Sequence, residues 1–202
     1  MTAQQPENEI QADATWHQIM QQPIRSAAIP ATPSPYALAA PLPAQATHNL
    51  ILDGEPSIRY YTSMTWMMAV LGWETCYQHR WLVNHIERND DNPFADPSIF
   101  DGAELERLLR ERPHQQYIWG VFSAFAPDAE IDLSILPDAE SPDFWKPNAQ
   151  PQHPQALFEI VCWDSTCTLF IGLPDKLAQR VVAEFPECRT LDKAIDEAAC
   201  GA

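Results

Sequence analysis

The sequence predicts an α+β fold: an antiparallel sheet with a C-terminal hairpin, packed by flanking helices on one face and preceded by a Pro-rich N-terminal tail. Three observations carry that expectation. Apolar residues recur at helical spacing between Trp66 and Trp81 and again between Leu105 and Leu109. From Tyr117 the pattern changes to short runs of strand formers, 117–122, 156–163 and 166–173, the last two separated only by Asp164-Ser165. Helical spacing returns after Asp175.

Residues 1–47 are rich in Gln, Ala and Pro, and Ile29-Pro30-Ala31-Thr32-Pro33-Ser34-Pro35, followed by Pro41 and Pro43, favours extended polyproline-like backbone. They read as a tail, with one segment, 14–21, carrying Trp16, Ile19 and Met20 at helical spacing. Residues 48–202 read as one α+β domain, long enough to bury its own core. Leu50-Ile51-Leu52 is a short strand, and Asp53-Gly54-Glu55-Pro56 supplies turn chemistry. Next, Trp66, Val70, Trp73, Tyr77 and Trp81, widened by Met67, Leu71 and Ile86, form the stripe of a buried helix, with a break point at Gly72. The acidic loop 89–98 leads to a second helix, which Asp101 and Glu104 open as a capping box and Pro113 stops. In that helix Glu106 and Arg110 form an i,i+4 pair and Leu105, Leu108 and Leu109 form one face.

The strand 117–122 follows, then a Pro-punctuated acidic connection, 126–154, in which acids alternate with Ile131 and Leu133 and mark a candidate strand over 130–135. If Asp164-Ser165 make a two-residue hairpin turn, Cys162 opposes Cys167, Ile160 opposes Leu169 and Phe158 opposes Ile171. One face of the hairpin is then wholly apolar, while the other mixes Glu159, Thr166 and Thr168 with Leu157, Val161, Trp163 and Phe170 and calls for partial cover. Residues 175–184 form a helix with Leu177, Val181 and Phe185 on its face, and a last short helix after Thr190 turns Leu191 and Ile195 inward.

Charge narrows the partners. The 202 residues hold 28 acids against 12 bases, a formal net charge of −16, which disfavours nucleic acid and anionic membrane and speeds encounter with a basic protein. Between Arg112 and Lys176 the only basic residue is Lys146. The first eleven residues lack the basic and apolar regions of a secretory signal, and the apolar run 66–73 is far short of the roughly 20 residues of a membrane helix. Five cysteines without a C-x-x-C pair fit reduced thiols, and the expected location is the cytoplasm.

Motifs for chemistry are sparse. Cys162 beside Trp163-Asp164, with histidines at 79, 85, 114 and 153, frames a hydrolase reading that uses Cys162 or Asp164. A catalytic thiol, however, needs an electropositive and accessible setting, and an acidic hairpin pushes the other way. His79 and His85 stand six apart and do not share the i,i+4 geometry of a helical metal pair. The loop 89–98 lacks the ligand order of a calcium site, and no glycine-rich phosphate loop or nucleophile elbow occurs. The expectation is a non-enzyme with no catalytic residue, no metal site and no cofactor.

The stretch Tyr117-Ile118-Trp119-Gly120-Val121-Phe122-Ser123-Ala124-Phe125, with Phe144-Trp145, Gln152-His153-Pro154 and Glu159-Ile160-Val161-Cys162-Trp163-Asp164-Ser165, resembles small bacterial proteins that act as immunity partners of polymorphic toxins. The resemblance spans roughly residues 113–192 and implies an acidic cytoplasmic α+β protein that binds and blocks one cognate toxin domain. An adaptor module of a secretion or phage-related assembly, tethered by the tail, is the alternative. On either reading the expected contacts are Asp128, Glu130, Asp132, Asp138, Glu140 and Asp143, with Asp90, Asp91 and Asp96 as a second patch and Phe144 and Trp145 as exposed aromatic anchors.

Overall fold

In the structure, a computed structural model describing residues 46–53, 61–88 and 95–200, each apolar run expected after Tyr117 becomes a strand of one sheet. The elements in chain order are β1 (Thr47–Leu52), α1 (Met64–Leu71), α2 (Trp73–Tyr77), β2 (Arg80–Glu87), β3 (Ser98–Asp101), α3 (Gly102–Glu111), β4 (Trp119–Phe125), a 3-10 turn (Pro142–Trp145), β5 (Phe158–Trp163), β6 (Cys167–Pro174), α4 (Asp175–Glu184), β7 (Arg189–Thr190) and α5 (Leu191–Cys200). The strand order is β3-β2-β4-β5-β6-β1-β7, and every neighbouring pair is antiparallel. The segment 14–21, the turn residues Gly54 to Pro56, and Asp90 and Asp91 lie outside the described residues.

Side chains alternate across a strand, so the register sorts them into two faces. One face presents Trp81, Val83, Phe122, Phe158, Ile160, Cys162 and Phe170. The segment leading into α1 covers it: Cys162 Sγ lies 3.7 Å from Thr62 O, and Thr168 Oγ1 donates to Tyr61 O. α1 is buried nearly all round, and Thr65 Oγ1 ties it to Leu109 O of α3 at 2.8 Å. α4 joins the same layer through Trp66 and Phe185, whose rings meet edge-on at 5.7 Å. The other face presents Ile51, Val121, Val161, Leu169 and Ile171, covered by Ala139, Phe144 and Ala149 of the connection between β4 and β5 and by Leu191 and Ala194 of α5. Helices on one face alone was therefore too simple, because a sheet apolar on both sides must be shielded on both.

The helical stripe from Trp66 stops at Tyr77. Gly72 breaks it with a φ of 88°, and Arg80–Glu87 is a strand, which moves Trp81 and Ile86 from the expected helix into the sheet. From that strand the Trp81 indole still reaches α2, where Nε1–H donates to Cys76 O at 3.2 Å. The hairpin also differs. Asp164 and Ser165 take φ of 45° and 57°, Thr166 N–H donates to Trp163 O at 2.9 Å, and Thr166 stays in the loop, so that Trp163 faces Cys167 and Cys162 faces Thr168. That one-residue slip puts Cys162 and Cys167 on opposite faces of the sheet. Residues 130–135 form turns instead of a strand, because the Asp132 carboxylate captures the N–H of Ser134 at 2.9 Å.

α3 starts as its sequence dictates, with Glu104 N–H donating to Asp101 Oδ1 at 2.8 Å. Its Glu106–Arg110 pair, 2.6 Å apart, is buried against α2: Tyr77 OH donates to Glu106, and the Arg110 guanidinium sits 4.1 Å from the centre of the Trp73 ring. Such close approach needs Gly102, where a Cβ would fall 1.9 Å from Cys76 O. Alanine would gain about 1 kcal/mol of helix propensity, but backbone cannot yield to the clash. Gly102→Ala is expected to lower stability by about 3 kcal/mol, read as a fall in the urea midpoint at unchanged slope.

His79 gives a pH test. Its Nδ1 lies 2.7 Å from Thr75 O and its ring packs edge-on against Trp81 and Phe158; burial lowers its pKa from the ordinary 6.5, the bond to Thr75 only partly opposing. A depressed imidazole binds its proton first in the unfolded chain, so stability is lost as pH falls below 6.5. His79→Phe is expected to lose less stability than wild type between about pH 7.5 and about pH 5.5 in urea unfolding, and equal losses would rule out His79 as the source.

Candidate protein-binding surface

Residues 126–157 link β4 to β5 with only the 3-10 turn for regular structure, and side chains of the sheet hold their path. The central pin is Glu159, fully buried on β5, whose Oε1 accepts from Ser123 Oγ and His153 N–H, both at 3.1 Å, and whose Oε2 accepts from Gln152 N–H at 2.8 Å. Burial raises its pKa and these three donors pull it back. His153, also fully buried, accepts from Gln155 N–H at Nδ1 (3.2 Å), which leaves Nε2–H to donate to Asp132 O at 3.1 Å. Gln152 copies a strand partner, its Oε1 taking Asp138 N–H at 2.8 Å and its Nε2 reaching Asp138 O at 3.1 Å.

Further pins come from three elements. Arg80 donates to Ala129 O at 3.0 Å and Asn84 donates to Pro137 O, both from β2. From β1, Asn49 donates to Ala149 O at 2.8 Å while accepting from Gly172 N–H at 2.8 Å. Asp192 of α5 accepts from Asn148 N–H at 3.1 Å. Because loop backbone over an apolar face has no ladder to satisfy it, these amides and carboxylates supply the missing partners.

The path displays Asp128, Glu130, Asp132, Asp138, Glu140 and Asp143, all exposed. Asp132 is held below the usual carboxylate range by the hydroxyl and N–H of Ser134, and Asp143 pairs with Lys146. Beside the acids stand Leu133 (48% exposed), Ile135 (38%) and Leu136 (44%), with Leu157 (51%) at the end of the same segment. These are four of the five large apolar side chains exposed among the described residues. Sequence reasoning missed Leu133 and Ile135 by assigning 130–135 to a strand; the available signal was Leu-Ser-Ile-Leu inside an otherwise acidic loop.

The aromatic anchors require correction. Phe144 is fully buried, turned by the 3-10 segment into the second core, and Trp145 is half-buried edge-on to Trp163 at 5.2 Å. Phe144 is thus unavailable to a partner. Asp96 is exposed, but its two oxygens accept from His85 N–H and Ile86 N–H, each at 2.9 Å, clamping a register shift in β2. His85, which takes a φ of 53° there, places its ring against Asp138 and Glu140, with Nδ1–Oδ1 of 2.9 Å and Nε2–Oε2 of 3.4 Å.

Cys76, Cys162, Cys167 and Cys188 are free and buried. Burial pushes the Cys162 thiol far above its ordinary range and that of Cys167 up to about 12, while Asp164 sits in the hairpin turn. Neither cysteine is an accessible thiolate. No helix of the described residues is long and apolar enough to cross a membrane. No protein-family model, curated protein or solved structure matches the chain.

Removing the central pin tests how this surface is held. Glu159→Ala leaves three donors, two of them buried, without their carboxylate partner and is expected to cost about 3 kcal/mol in urea unfolding, with faster amide exchange across 126–157. Ser123→Ala, which removes one neutral donor, should cost about 1 kcal/mol. Unchanged exchange across the connection in the Glu159 variant would mean that the apolar contacts alone fix its path.

Proposed function

We propose that the protein is a non-enzymatic binding protein of the immunity type, which captures a basic toxin or effector domain on the surface of residues 128–143 and blocks it. The observation that carries this reading is the placement of exposed Leu133, Ile135 and Leu136 among six exposed acids on a connection fixed from beneath by Glu159, Gln152 and Asn84. Exposed apolar groups rimmed by charge are the composition of an interface centre. A net charge of −16 steers a basic partner toward it, and a pre-ordered loop spares the entropy of folding on contact.

Charge and apolar contact act on different rate constants. Reversing Asp138, Glu140 and Asp143 together to Lys should slow association roughly tenfold at low salt and flatten its salt dependence. Leu133→Ser with Leu136→Ser should chiefly speed dissociation. The partner to use is the product of the neighbouring gene, tested by co-purification and by protection of cells that express it. Deleting residues 1–47 separates the readings: an immunity protein keeps neutralising its toxin, whereas an adaptor tethered by that segment stops binding. An unchanged on-rate in the triple-Lys variant at low and high salt would move the interface off this surface.

A further inference from the structure

The register shift in β2 presents an imidazole to the middle of the connection. His85 takes a φ of 53°, uncommon for a residue with a side chain, and Asp96 holds it there by accepting from the N–H groups of residues 85 and 86, each at 2.9 Å. Its half-buried ring meets three consecutive residues, Asp138, Ala139 and Glu140. Ala139 is fully buried in the second core, and its N–H donates to His85 Nδ1 at 3.2 Å. The acids on either side of it are more than half exposed, and the Gln152 clasp fixes the backbone of Asp138.

Nδ1 has more neighbours than it can serve. Besides the Ala139 N–H, Asp138 Oδ1 lies 2.9 Å from it. A ring nitrogen accepts through its lone pair or donates through its proton, never both at once. In the neutral ring Nδ1 accepts from Ala139, which leaves the proton on Nε2 toward Glu140 Oε2 at 3.4 Å and sets the Asp138 oxygen against a lone pair that repels it. A proton on Nδ1 reverses these terms: the Asp138 carboxylate becomes a partner, and the Ala139 N–H faces another donor. Among the described residues the charged groups recorded against His85 are Asp96 at its backbone and Asp138 and Glu140 at its ring. On its own strand Glu87 follows, opposite Trp119 of β4, which carries no charge, and then Arg88.

We propose that His85 is a pH-operated latch on the connection, which in its neutral form holds the Ala139 N–H and in its protonated form releases it and turns to the carboxylates of Asp138 and Glu140. Histidine is the side chain that changes charge between about pH 5 and pH 8, so the exchange of partners falls above the range in which the three carboxylates take up protons. Both acids of the connection are exposed and follow the ring by turning their side chains, whereas the amide of Ala139 is tied to a buried position and loses its acceptor. Protonation therefore loosens the connection at Ala139 and sets a positive charge between two of the six exposed acids of 128–143. The latch goes beyond the binding reading and needs no partner to operate, so its failure would leave that reading standing.

The test follows the full-length isotopically labelled protein by NMR from about pH 7.5 to about pH 5.5. The His85 ring is expected to titrate in this window, with the Ala139 amide resonance moving at the same midpoint and its exchange protection falling by at least about tenfold at the acid end. His85→Asn, chosen because asparagine tolerates positive φ, should abolish the pH dependence at Ala139 while His48, His79, His114 and His153 titrate as before. Asp138→Asn removes a negative charge beside the ring and should move the shared midpoint to lower pH. A His85 ring that does not titrate in the window, an Ala139 resonance that stays still while the ring titrates, or a pH dependence at Ala139 that survives in a folded His85→Asn variant overturns the proposal. An unchanged midpoint in Asp138→Asn does the same, because the imidazolium would then not turn to that carboxylate.

Discussion

The buried carboxylate of Glu159 is the interaction on which the second half of the structure depends. A sheet that is apolar on both faces needs two covers, and only one of them is built of helices in the usual way. The other is largely irregular backbone, whose N–H and C=O groups lose water when they settle on Val121, Val161 and Leu169. Glu159, the second residue of β5, with Ser123 beside it on β4, offers two oxygens to three donors there and turns a costly burial into a specific one. Placement on a strand fixes its position, and every further pin, from Arg80 to Asp192, lies on an element already locked by the sheet or by α5.

The first face follows a different logic. α1 is buried almost all round, so it is held by packing, and its few polar links are to carbonyls at helix ends, as with Thr65 on Leu109. The Glu106–Arg110–Tyr77 contact and the approach of Gly102 to Cys76 join α2 and α3 so closely that the two short helices behave as one ledge beneath β2. A five-residue helix such as α2 has no stability of its own, and this junction supplies it.

Much of this was legible in the sequence where local chemistry dominates. The Asp101 cap, the helices 102–111 and 175–184, the strands on either side of Asp164-Ser165 and the α+β class follow from periodicity and capping alone. What was not legible depended on distant partners. Trp81 sits at helical spacing yet belongs to a strand, because β4 offers a ladder that spacing does not record. The hairpin register turned on whether Thr166 joins the strand or the turn, a choice of one residue. For the surface, the six acids of 128–143 were read correctly as exposed, since charge rarely enters a core, but Phe144 was assigned outward because nothing local reveals a second apolar layer. Glu159 is the clearest case: as one acid among many it carries no mark, and only the donors converging on it from 152, 153 and 123 distinguish it.

The pins that hold the connection all point inward or along the backbone, and among the described residues the hydrogen bonds that tie it to the sheet do not use the side chains of Asp128, Glu130, Leu133, Ile135 and Leu136. Shape and lettering are therefore separable in this segment. The side chains on the outer surface can be exchanged over many generations, or by a designer, without disturbing the route of the chain beneath them. On the binding reading proposed above, a scaffold of this kind admits rapid turnover of its partner at little expense in folding, as antibody loops do on their sandwich.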